Sequence, residues 1–337
     1  MIKAEIIADS LNEFGNRITT MVVTFPRIIL AEFNTHRMFS RNSASSRAIP
    51  FEKMVKSVQD NPFIPIAWQK DHKGMQGTEY LEAEALDKAK TFWMQSLQNQ
   101  ISFAKLQSGN GLTKQIVNRG LEQFMWHTVI VTATEWENFF ALRCPRYVFV
   151  EVINNDQDKI HDFRSIKDYI KYVAGNDPAH EVYSYDQIDW LRINQGQAEI
   201  HMMTLAEAMW DAYNESKPRE LNAGEWHIPF YDKSDKEGPS GWIEYCNNSP
   251  NIDYHSSELF NNWRIKIATA RCARVSYTVV GEEGKPDNYE NDIKLHDRLL
   301  ESKHASPTEH CAQAQNNQER SRNFIGGWKQ YREILDI

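Results

Sequence analysis

Cysteine is scarce in this sequence, and long apolar runs are missing from it. The four cysteines, Cys144, Cys246, Cys272 and Cys311, form no CxxC pair, so neither a zinc knuckle nor a thioredoxin-type redox motif is indicated. Four cysteines in 337 residues do not suggest a disulfide scaffold, and a reducing cytosol fits better. No stretch of about 18 apolar residues occurs, and the N-terminus lacks the apolar segment of a signal peptide. We therefore expect a cytoplasmic protein that does not associate with a membrane.

Positive charge is also in deficit, because 38 Lys and Arg residues face 46 Asp and Glu residues and the formal net charge is −8. Sequence-independent binding to nucleic acid depends on many Lys and Arg contacts to phosphates, so nucleic acid is not expected as a partner. The sequence has no GxGxxG after a predicted strand, no GxxxxGK[ST] and no HExxH, which leaves Rossmann, P-loop and zinc-protease functions without support. No metal site is expected. An anionic small ligand is compatible with this charge balance only where cationic side chains cluster locally.

The remaining composition is that of a folded protein, since hydrophobic residues make up 41% and charged residues 25% of the chain. We predict a single domain over residues 1–337, although this length also allows two domains. Residues 145–195 mix Asn, Asp, Lys and Tyr and are predicted to form an inserted surface element. Proline and glycine recur through residues 215–257, which is typical of a connecting or lid region. We predict that these residues form a second insertion.

The first 142 residues contain several short local patterns. Residues 18–25 are β-branched and apolar, which predicts a buried strand that Pro26 ends or interrupts. A short helix is expected over 27–37. The run of Ser and Asn over 40–47 favours caps and turns over regular structure. Residues 123–142 predict a buried, helix-rich region, with a strand over the sequence VIVTA as the alternative.

Periodic apolar residues predict the longer helices. A scaffold helix is expected over 80–106, where apolar side chains recur every three or four residues. Its stripe consists of Leu86, Ala89, Trp93, Leu97, Ile101 and Ala104. A second helix is predicted over 198–213, and a capping box from Thr204 to Glu207 is an alternative start for it. A third helix is expected over 292–304.

The densest polar cluster follows the predicted 27–37 helix. It places several guanidinium groups and hydroxyls close together. Arg binds phosphate in a bidentate manner, and Ser hydroxyls with free backbone N–H groups complete an anion cradle. The alternative is a solvated and well-capped loop. The members of the cluster are His36, Arg37, Ser40, Arg41, Asn42, Ser43, Ser45, Ser46 and Arg47.

A second cluster covers residues 304–310. Ser306 as an N-cap, followed by Pro307 at the first helical position, gives a structural explanation for it. The alternative is that the His side chains and Glu309 face a ligand.

A third cluster covers residues 136–143, and its aromatic side chains are expected to belong mainly to the core. Cys144 follows Arg143, and an adjacent guanidinium favours a thiolate. It is nevertheless a weak candidate nucleophile, because no paired His is evident.

Together, these clusters resemble the motifs of the flavin-dependent thymidylate synthases, the ThyX family. The signature of that family is Arg-His-Arg, followed by a Ser and then an Arg. Here the segment Thr35–Arg37 is followed by Ser45 and Arg47, so that Thr35 takes the place of the first Arg. Just upstream, Glu32 stands where the family usually has Gln.

Further blocks of the same family occur along the chain. Residues 273–277 read Ala-Arg-Val-Ser-Tyr, and residues 304–310 match the block His-x-Ser-Pro-Phe-Glu-His except that Thr308 replaces Phe. Residues 138–143 and 197–200 resemble two more blocks, and Arg119 matches a nucleotide-binding Arg. The order of the blocks is permuted, as in an enlarged variant that we associate with bacteriophage members.

The resemblance implies an α/β (α+β) fold, with a mixed sheet flanked by long helices, assembled as a homotetramer with shared active sites. FAD is the implied cofactor, and NADPH and methylene-tetrahydrofolate are the implied co-substrates. The implied reaction is the C5 methylation of dUMP to dTMP. The alternatives are hydroxymethylation of dUMP or a related pyrimidine deoxynucleotide, and nucleotide binding without catalysis.

The resemblance also assigns roles to single residues. Catalytic roles fall to Arg143, which would orient and polarise the uracil ring, and to Ser45. Cofactor binding is implied for His36, Arg37, Ser43, Asn138, Ser276, His304, Ser306 and Glu309. Substrate binding is implied for Glu32, Ser45, Ser46, Arg47, Arg119 and Arg143. Because these residues come from distant parts of the chain, we expect the 36–47 segment to lie next to the 304–310 turn.

Overall fold

The computed structural model describes residues 2–74, 77–153, 157–176, 187–230, 238–249, 252–277 and 289–337. The strands, in chain order, are β1 (Lys3–Asn12), β2 (Arg17–Pro26), β3 (Ser40–Ser43), β4 (Trp126–Ala133), β5 (Tyr147–Ile153), β6 (Gln157–Phe163), β7 (Arg219–Leu221), β8 (Trp226–His227), β9 (Ala312–Ala314) and β10 (Trp328–Gln330). The helices are α1 (Leu30–Phe33), α2 (Phe51–Asp60), α3 (Ala83–Gly109), α4 (Lys114–Val117), α5 (Glu137–Arg143), α6 (Ile166–Asn176), α7 (Gln187–Ile193), α8 (Ile200–Glu215), α9 (Gly238–Asn247), α10 (Ser257–Arg274), α11 (Tyr289–Glu301) and α12 (Tyr331–Ile334). Short 3₁₀ helices lie at Arg27–Ile29, Asn118–Phe124, Val275–Tyr277 and Ser306–Glu309.

The centre of the fold is a mixed five-stranded sheet in the order β3-β4-β2-β1-β7. Strands β3, β4, β2 and β1 pair antiparallel with their neighbours, whereas β7 lies parallel to β1. The strand predicted at 18–25 is confirmed as β2, and Pro26 is its last residue.

Alternate residues of β2 pack on opposite faces of this sheet, as the period of a strand requires. Met21, Val23 and Phe25 belong to a core cluster shared with α1, α5 and α8. Val22 points to the other face, where it joins a cluster that contains Cys272 of α10. Helices therefore flank both faces of a mixed sheet, and the predicted α/β (α+β) class is confirmed.

Two stretches fold differently from the sequence prediction. Residues 40–47 were expected to form turns, but the first four of them form the edge strand β3, whose backbone pairs with β4. Its side chains find partners in distant segments, for example where Gln330 Nε2 donates to Ser40 Oγ at 3.1 Å, so they need no local caps. In residues 123–142 the helix-rich prediction is wrong, because β4 occupies the centre and only the short α5 follows. The alternative of a strand over VIVTA is correct.

The long scaffold helix is confirmed as α3. Leu97, Ile101 and Ala104 are buried against α2 and the 3₁₀ helix Asn118–Phe124. The earlier members of the predicted stripe, such as Leu86, are only half-buried, so this helix packs mainly through its C-terminal half.

The predicted 198–213 helix is also confirmed, as α8. Glu199 is its N-cap, and the carboxylate accepts the backbone N–H of His201 at 2.8 Å. The alternative start at Thr204 is wrong, because Thr204 lies inside the helix and its hydroxyl donates to the carbonyl of Ile200 at 2.8 Å. Among the described residues, no helix combines the length and apolar character that crossing a membrane requires.

The two predicted insertions have distinct local structures. Within 145–195, the β5–β6 hairpin and α6 share a small core around Tyr147 and Val173, and Tyr147 Oη donates to Glu207 of α8 at 2.9 Å. Within 215–257, β7 joins the central sheet and β8 joins a second sheet in the order β10-β9-β8. That these segments are insertions stays a prediction.

Candidate functional site

Strand β3 is the place where the motif-bearing segments meet. At its first residue, Ser40 Oγ accepts a hydrogen bond from Gln330 Nε2, which also donates to the Glu309 carbonyl at 3.3 Å. Beyond its last residue, the backbone N–H of Ser45 donates to the Ser276 carbonyl at 3.1 Å. The 36–47 segment therefore lies next to both the 304–310 turn and the 273–277 block within one protomer, as expected.

Arg143 lies near the first end of β3, at the C-terminus of α5. Its Nε is 3.6 Å from Glu32 Oε1, and its Nη2 donates to Thr35 Oγ1 at 3.3 Å. Glu32 and Thr35 are two of the positions at which the sequence differs from the motif that it resembles, and both contact the same guanidinium. Burial raises the pKa of Glu32, Arg143 opposes that rise, and the nearby Glu199 adds to it. The 197–200 block is thus brought to the same site.

His36 packs on an aromatic cluster beside Arg143. Its ring centroid is 4.5 Å from that of Phe39 and 5.5 Å from that of Phe139. Partial burial lowers the pKa of His36, and the positive charges of Arg143 and Arg41 lower it further. The neutral imidazole is therefore favoured, which keeps one ring nitrogen available as a hydrogen-bond acceptor.

Arg37 and Asn138 lie exposed beside this aromatic cluster, and Ser43 is half-buried on β3. A guanidinium, an amide and a hydroxyl are suitable donors for the phosphates and the ring carbonyls of a flavin. The chemistry of this donor set therefore fits the implied cofactor.

A second polar group lies at the other end of β3. Ser46 Oγ donates to Glu122 Oε1, and the same carboxylate oxygen is 3.7 Å from Arg27 Nη2 and 3.9 Å from Arg119 Nη1. Ser45 is half-buried and Arg47 is exposed on the same turn.

Arg27 was missed by the sequence analysis. The only local signal is its position directly after the strand-ending Pro26, and its partners are far away in sequence. Its Nη1 lies 3.0 Å from Nε2 and 3.3 Å from Nδ1 of His127. His127 is fully buried, and burial followed by the charge of Arg27 lowers its pKa to about 3, so this imidazole is neutral.

The residues implied by the 304–310 block differ in their contacts and in their exposure. Glu309 forms an ion pair with Arg332, while His304 and Ser306 are exposed. The N-cap role predicted for Ser306 is wrong, because Ala305 is the N-cap of the 3₁₀ helix Ser306–Glu309 and no side chain caps it. The exposed side chains are therefore accessible to a ligand or to a neighbouring subunit.

Two further observations concern reactive groups. Cys144 is buried, and burial raises the pKa of its thiol, which argues against a nucleophilic thiolate. Across the described parts of the chain, no group of three or more His, Cys, Asp or Glu side chains is arranged to hold a metal ion.

The two polar groups involve residues on either side of β3 in the chain. Arg143 contacts Glu32 and Thr35, which precede the strand. Arg119 pairs with Glu122, whose other partner Ser46 follows the strand.

No protein-family model matches this chain, and no curated protein matches it. Among solved structures, it is similar to PolB, a UMP/dUMP methylase from Streptomyces cacaoi, in two crystal structures. For PolB bound with 5-Br UMP the TM-score is 0.41 at 14% identity, over 64% of this chain and 89% of that chain. For PolB bound with 5-Br dUMP the TM-score is 0.36 at 12% identity, over 43% of this chain and 79% of that chain. TM-scores below 0.5 do not establish a shared fold.

Proposed function

We propose that this protein is a flavin-dependent enzyme that binds dUMP and methylates its uracil ring at C5. The observation that supports this most is the gathering of distant motif segments around β3. Residues 32–47, 138–143, 273–277 and 304–310 all contribute side chains or backbone groups to this one edge of the sheet.

The proposed substrate spans β3 from end to end. Ser45, Ser46, Arg47 and Arg119 would hold the phosphate, because hydroxyls and guanidinium groups are the donors that phosphate prefers. Arg143 would meet the uracil ring at the other end of the strand.

Arg143 is the proposed electrostatic catalyst. C5 of uracil is a weak nucleophile, and it becomes a stronger one when the ring gains enolate character, with negative charge on its carbonyl oxygens, before C5 attacks the electrophilic carbon. A guanidinium that is already oriented by Glu32 and Thr35 stabilises that charge without reorganising during the reaction. Ser45, whose backbone is fixed by Ser276, would help to keep the nucleotide in register.

FAD is the proposed cofactor, with NADPH and methylene-tetrahydrofolate as co-substrates that supply electrons and the one-carbon unit. When bound, the flavin would supply the redox chemistry, which no amino-acid side chain provides. His36, Arg37, Ser43 and Asn138 would hold it from one side of β3. The remaining contacts are proposed for Ser276, His304, Ser306 and Glu309. Because several of these side chains are exposed, we propose that the sites are shared between subunits of a homotetramer.

Hydroxymethylation of dUMP is the second candidate, and a specific observation favours it. Glu32 and Thr35, two of the departures from the family motif, both contact Arg143. In this reaction C5 takes up the one-carbon unit and loses its hydrogen as a proton, and the bond from that carbon to the folate nitrogen breaks. Water then adds to the carbon and gives a proton to a base, so no hydride is consumed. Glu32 is a suitable base, because it lies beside Arg143 and burial raises its pKa, which makes its carboxylate a stronger proton acceptor.

The reaction can be tested with dUMP, methylene-tetrahydrofolate, NADPH and added FAD. Methylation predicts a product with the mass of dTMP and one NADPH oxidised per turnover. Hydroxymethylation predicts a product heavier by one oxygen and no NADPH consumption. If the nucleotide binds but the hydrogen at uracil C5 is never released, the protein is a non-catalytic nucleotide-binding protein. Purified protein that neither contains nor takes up flavin would contradict the proposed cofactor.

The role of Arg143 has a matched test. Arg143→Ala is expected to lower turnover by about 100-fold or more while flavin stays bound, because a preorganised charge has been removed from the site. Arg146→Ala is the control, since Arg146 is an exposed guanidinium of the same region that pairs with Asp162. Unchanged turnover in Arg143→Ala would show that this guanidinium does not act on the ring.

A further inference from the structure

At the end of β3 where the phosphate is proposed to bind, one carboxylate oxygen is surrounded by donor groups. Glu122 Oε1 accepts from Ser46 Oγ and forms ion pairs with Arg27 and Arg119. Arg27 begins the 3₁₀ helix that follows β2, Ser46 lies in the turn after β3, and Arg119 belongs to the 3₁₀ helix Asn118–Phe124. A hydroxyl and two guanidinium groups around one anionic oxygen is the arrangement that a bound phosphate oxygen also requires.

From this geometry we propose that Glu122 is an internal stand-in for the substrate phosphate, and that Arg27 is a further phosphate-binding residue. The inference rests on the proposed function, because it takes the phosphate to be that of a nucleotide. An incoming phosphate displaces the Glu122 carboxylate and takes over its partners. The site is thereby closed to ligands that lack a strongly charged anion.

The Glu122 carboxylate is too far from either guanidinium group to accept a hydrogen bond from it. Both guanidinium distances, 3.7 Å and 3.9 Å, exceed the 2.7–3.2 Å of a hydrogen bond. A carboxylate has one negative charge and two oxygens, whereas a phosphate monoester brings nearly two charges and three oxygens. Phosphate can therefore satisfy both guanidinium groups and the Ser46 hydroxyl at once, which Glu122 does not.

Arg27 and Ser46 are held in place independently of Glu122. The backbone N–H of Arg27 donates to the Met125 carbonyl at 3.0 Å, and its guanidinium rests against the buried His127. The turn that carries Ser46 is fixed by Asn118, whose Nδ2 donates to the Ser46 carbonyl at 2.7 Å. The frame therefore persists when the carboxylate leaves.

Charge and exposure also favour an exchange. Arg27 and Arg119 carry two positive charges, whereas the Glu122 carboxylate between them carries one negative charge. His127 is neutral and adds no charge. Exposed Arg47 lies on the adjoining turn, so the patch is cationic in a protein with a net charge of −8. The Glu122 side chain is 21% exposed, which gives it a path outward into solvent.

The test compares dUMP with deoxyuridine, which lacks the phosphate. Glu122→Gln keeps the side-chain size and removes the competing charge, and it is expected to tighten dUMP binding about tenfold. Arg27→Ala is expected to weaken dUMP binding about tenfold, with partial recovery in Arg27→Lys. Deoxyuridine affinity should stay the same in all variants. Glu52→Gln, an exposed glutamate on α2, is the control and should change neither affinity.

The outcomes separate this inference from the proposed function. If Glu122→Gln weakens dUMP binding as Arg27→Ala does, Glu122 is a structural anchor and the inference is wrong. Equal losses for dUMP and deoxyuridine in Arg27→Ala and Arg27→Lys would also overturn it. If the wild-type protein binds neither dUMP nor deoxyuridine, the proposed function fails. In that case, inorganic phosphate can be used as the probe. If phosphate raises the melting temperature of Glu122→Gln more than that of the wild type, the anion site is still supported. If phosphate stabilises neither protein, the anion site is rejected.

Discussion

Acidification is expected to destabilise this protein through two imidazoles that are buried against the central sheet. His227 Nδ1 pairs with Ser10 Oγ at 2.9 Å, and its Nε2 pairs with Thr20 Oγ1 at 2.8 Å. Thr20 is linked to Thr132 at 2.7 Å, and Thr132 to His310 Nδ1 at 2.8 Å. Water cannot solvate a charged ring in this chain, so burial lowers the pKa of His227 to about 4 and that of His310 to about 3.

The size of the effect follows from the difference between the folded and unfolded pKa. In the unfolded chain each imidazole takes up a proton near its ordinary pKa of 6.5, whereas in the folded protein both stay neutral at about pH 5. Because the unfolded state binds more protons, their contribution is complete above about pH 6.5 and is lost as the pH falls towards the folded values. As the pH falls from about 8 to about 5, each imidazole should lower the free energy of unfolding by about 2 kcal/mol.

Urea unfolding of wild type and His310→Gln over this pH range measures the contribution directly. Glutamine keeps a hydrogen bond to Thr132 but does not titrate. The stability advantage of the wild type should shrink by about 2 kcal/mol from about pH 8 to about pH 5, and His227→Gln should behave in the same way. His255→Gln replaces an exposed imidazole and should show no such change. Parallel pH curves for wild type and both buried variants would refute the reasoning.

Three further substitutions test the packing that supports the site. Gly196→Ala should destabilise the protein by about 1–3 kcal/mol, because the added Cβ would lie 2.4 Å from the Cys144 carbonyl; an unchanged urea midpoint would contradict this. Asp292→Ala should cost about 3–5 kcal/mol in the same assay, because it leaves the buried Arg271 without its partner, and a loss below about 1 kcal/mol would show that water solvates that guanidinium. Leu97→Ala should cost about 2–5 kcal/mol at its fully packed position on α3, and a near-neutral result would mean that the helix is not anchored there.

The sequence by itself determined the elements whose signals are local. The β-branched run at 18–25 becomes β2, because alternate side chains can reach both faces of a sheet. The stripe that contains Leu97 becomes α3, and the apolar run after Glu199 becomes α8, because their periods match one turn of a helix. The motif residues such as Arg143 could also be named from the sequence, since a motif is a matter of spacing and residue type.

The tertiary structure decided which of these residues meet. Ser40 and its neighbours form a strand because β4 and Gln330 provide partners that no local pattern indicates. Glu32 became a partner of Arg143, and Arg27 of Glu122, across about a hundred residues of chain. Propensities and caps act over a few residues, whereas ion pairs and sheet ladders join whatever the packing of the core brings together. Most of the candidate residues could therefore be named from the sequence, although Arg27 and Glu122 could not, and their grouping arises only when the chain folds.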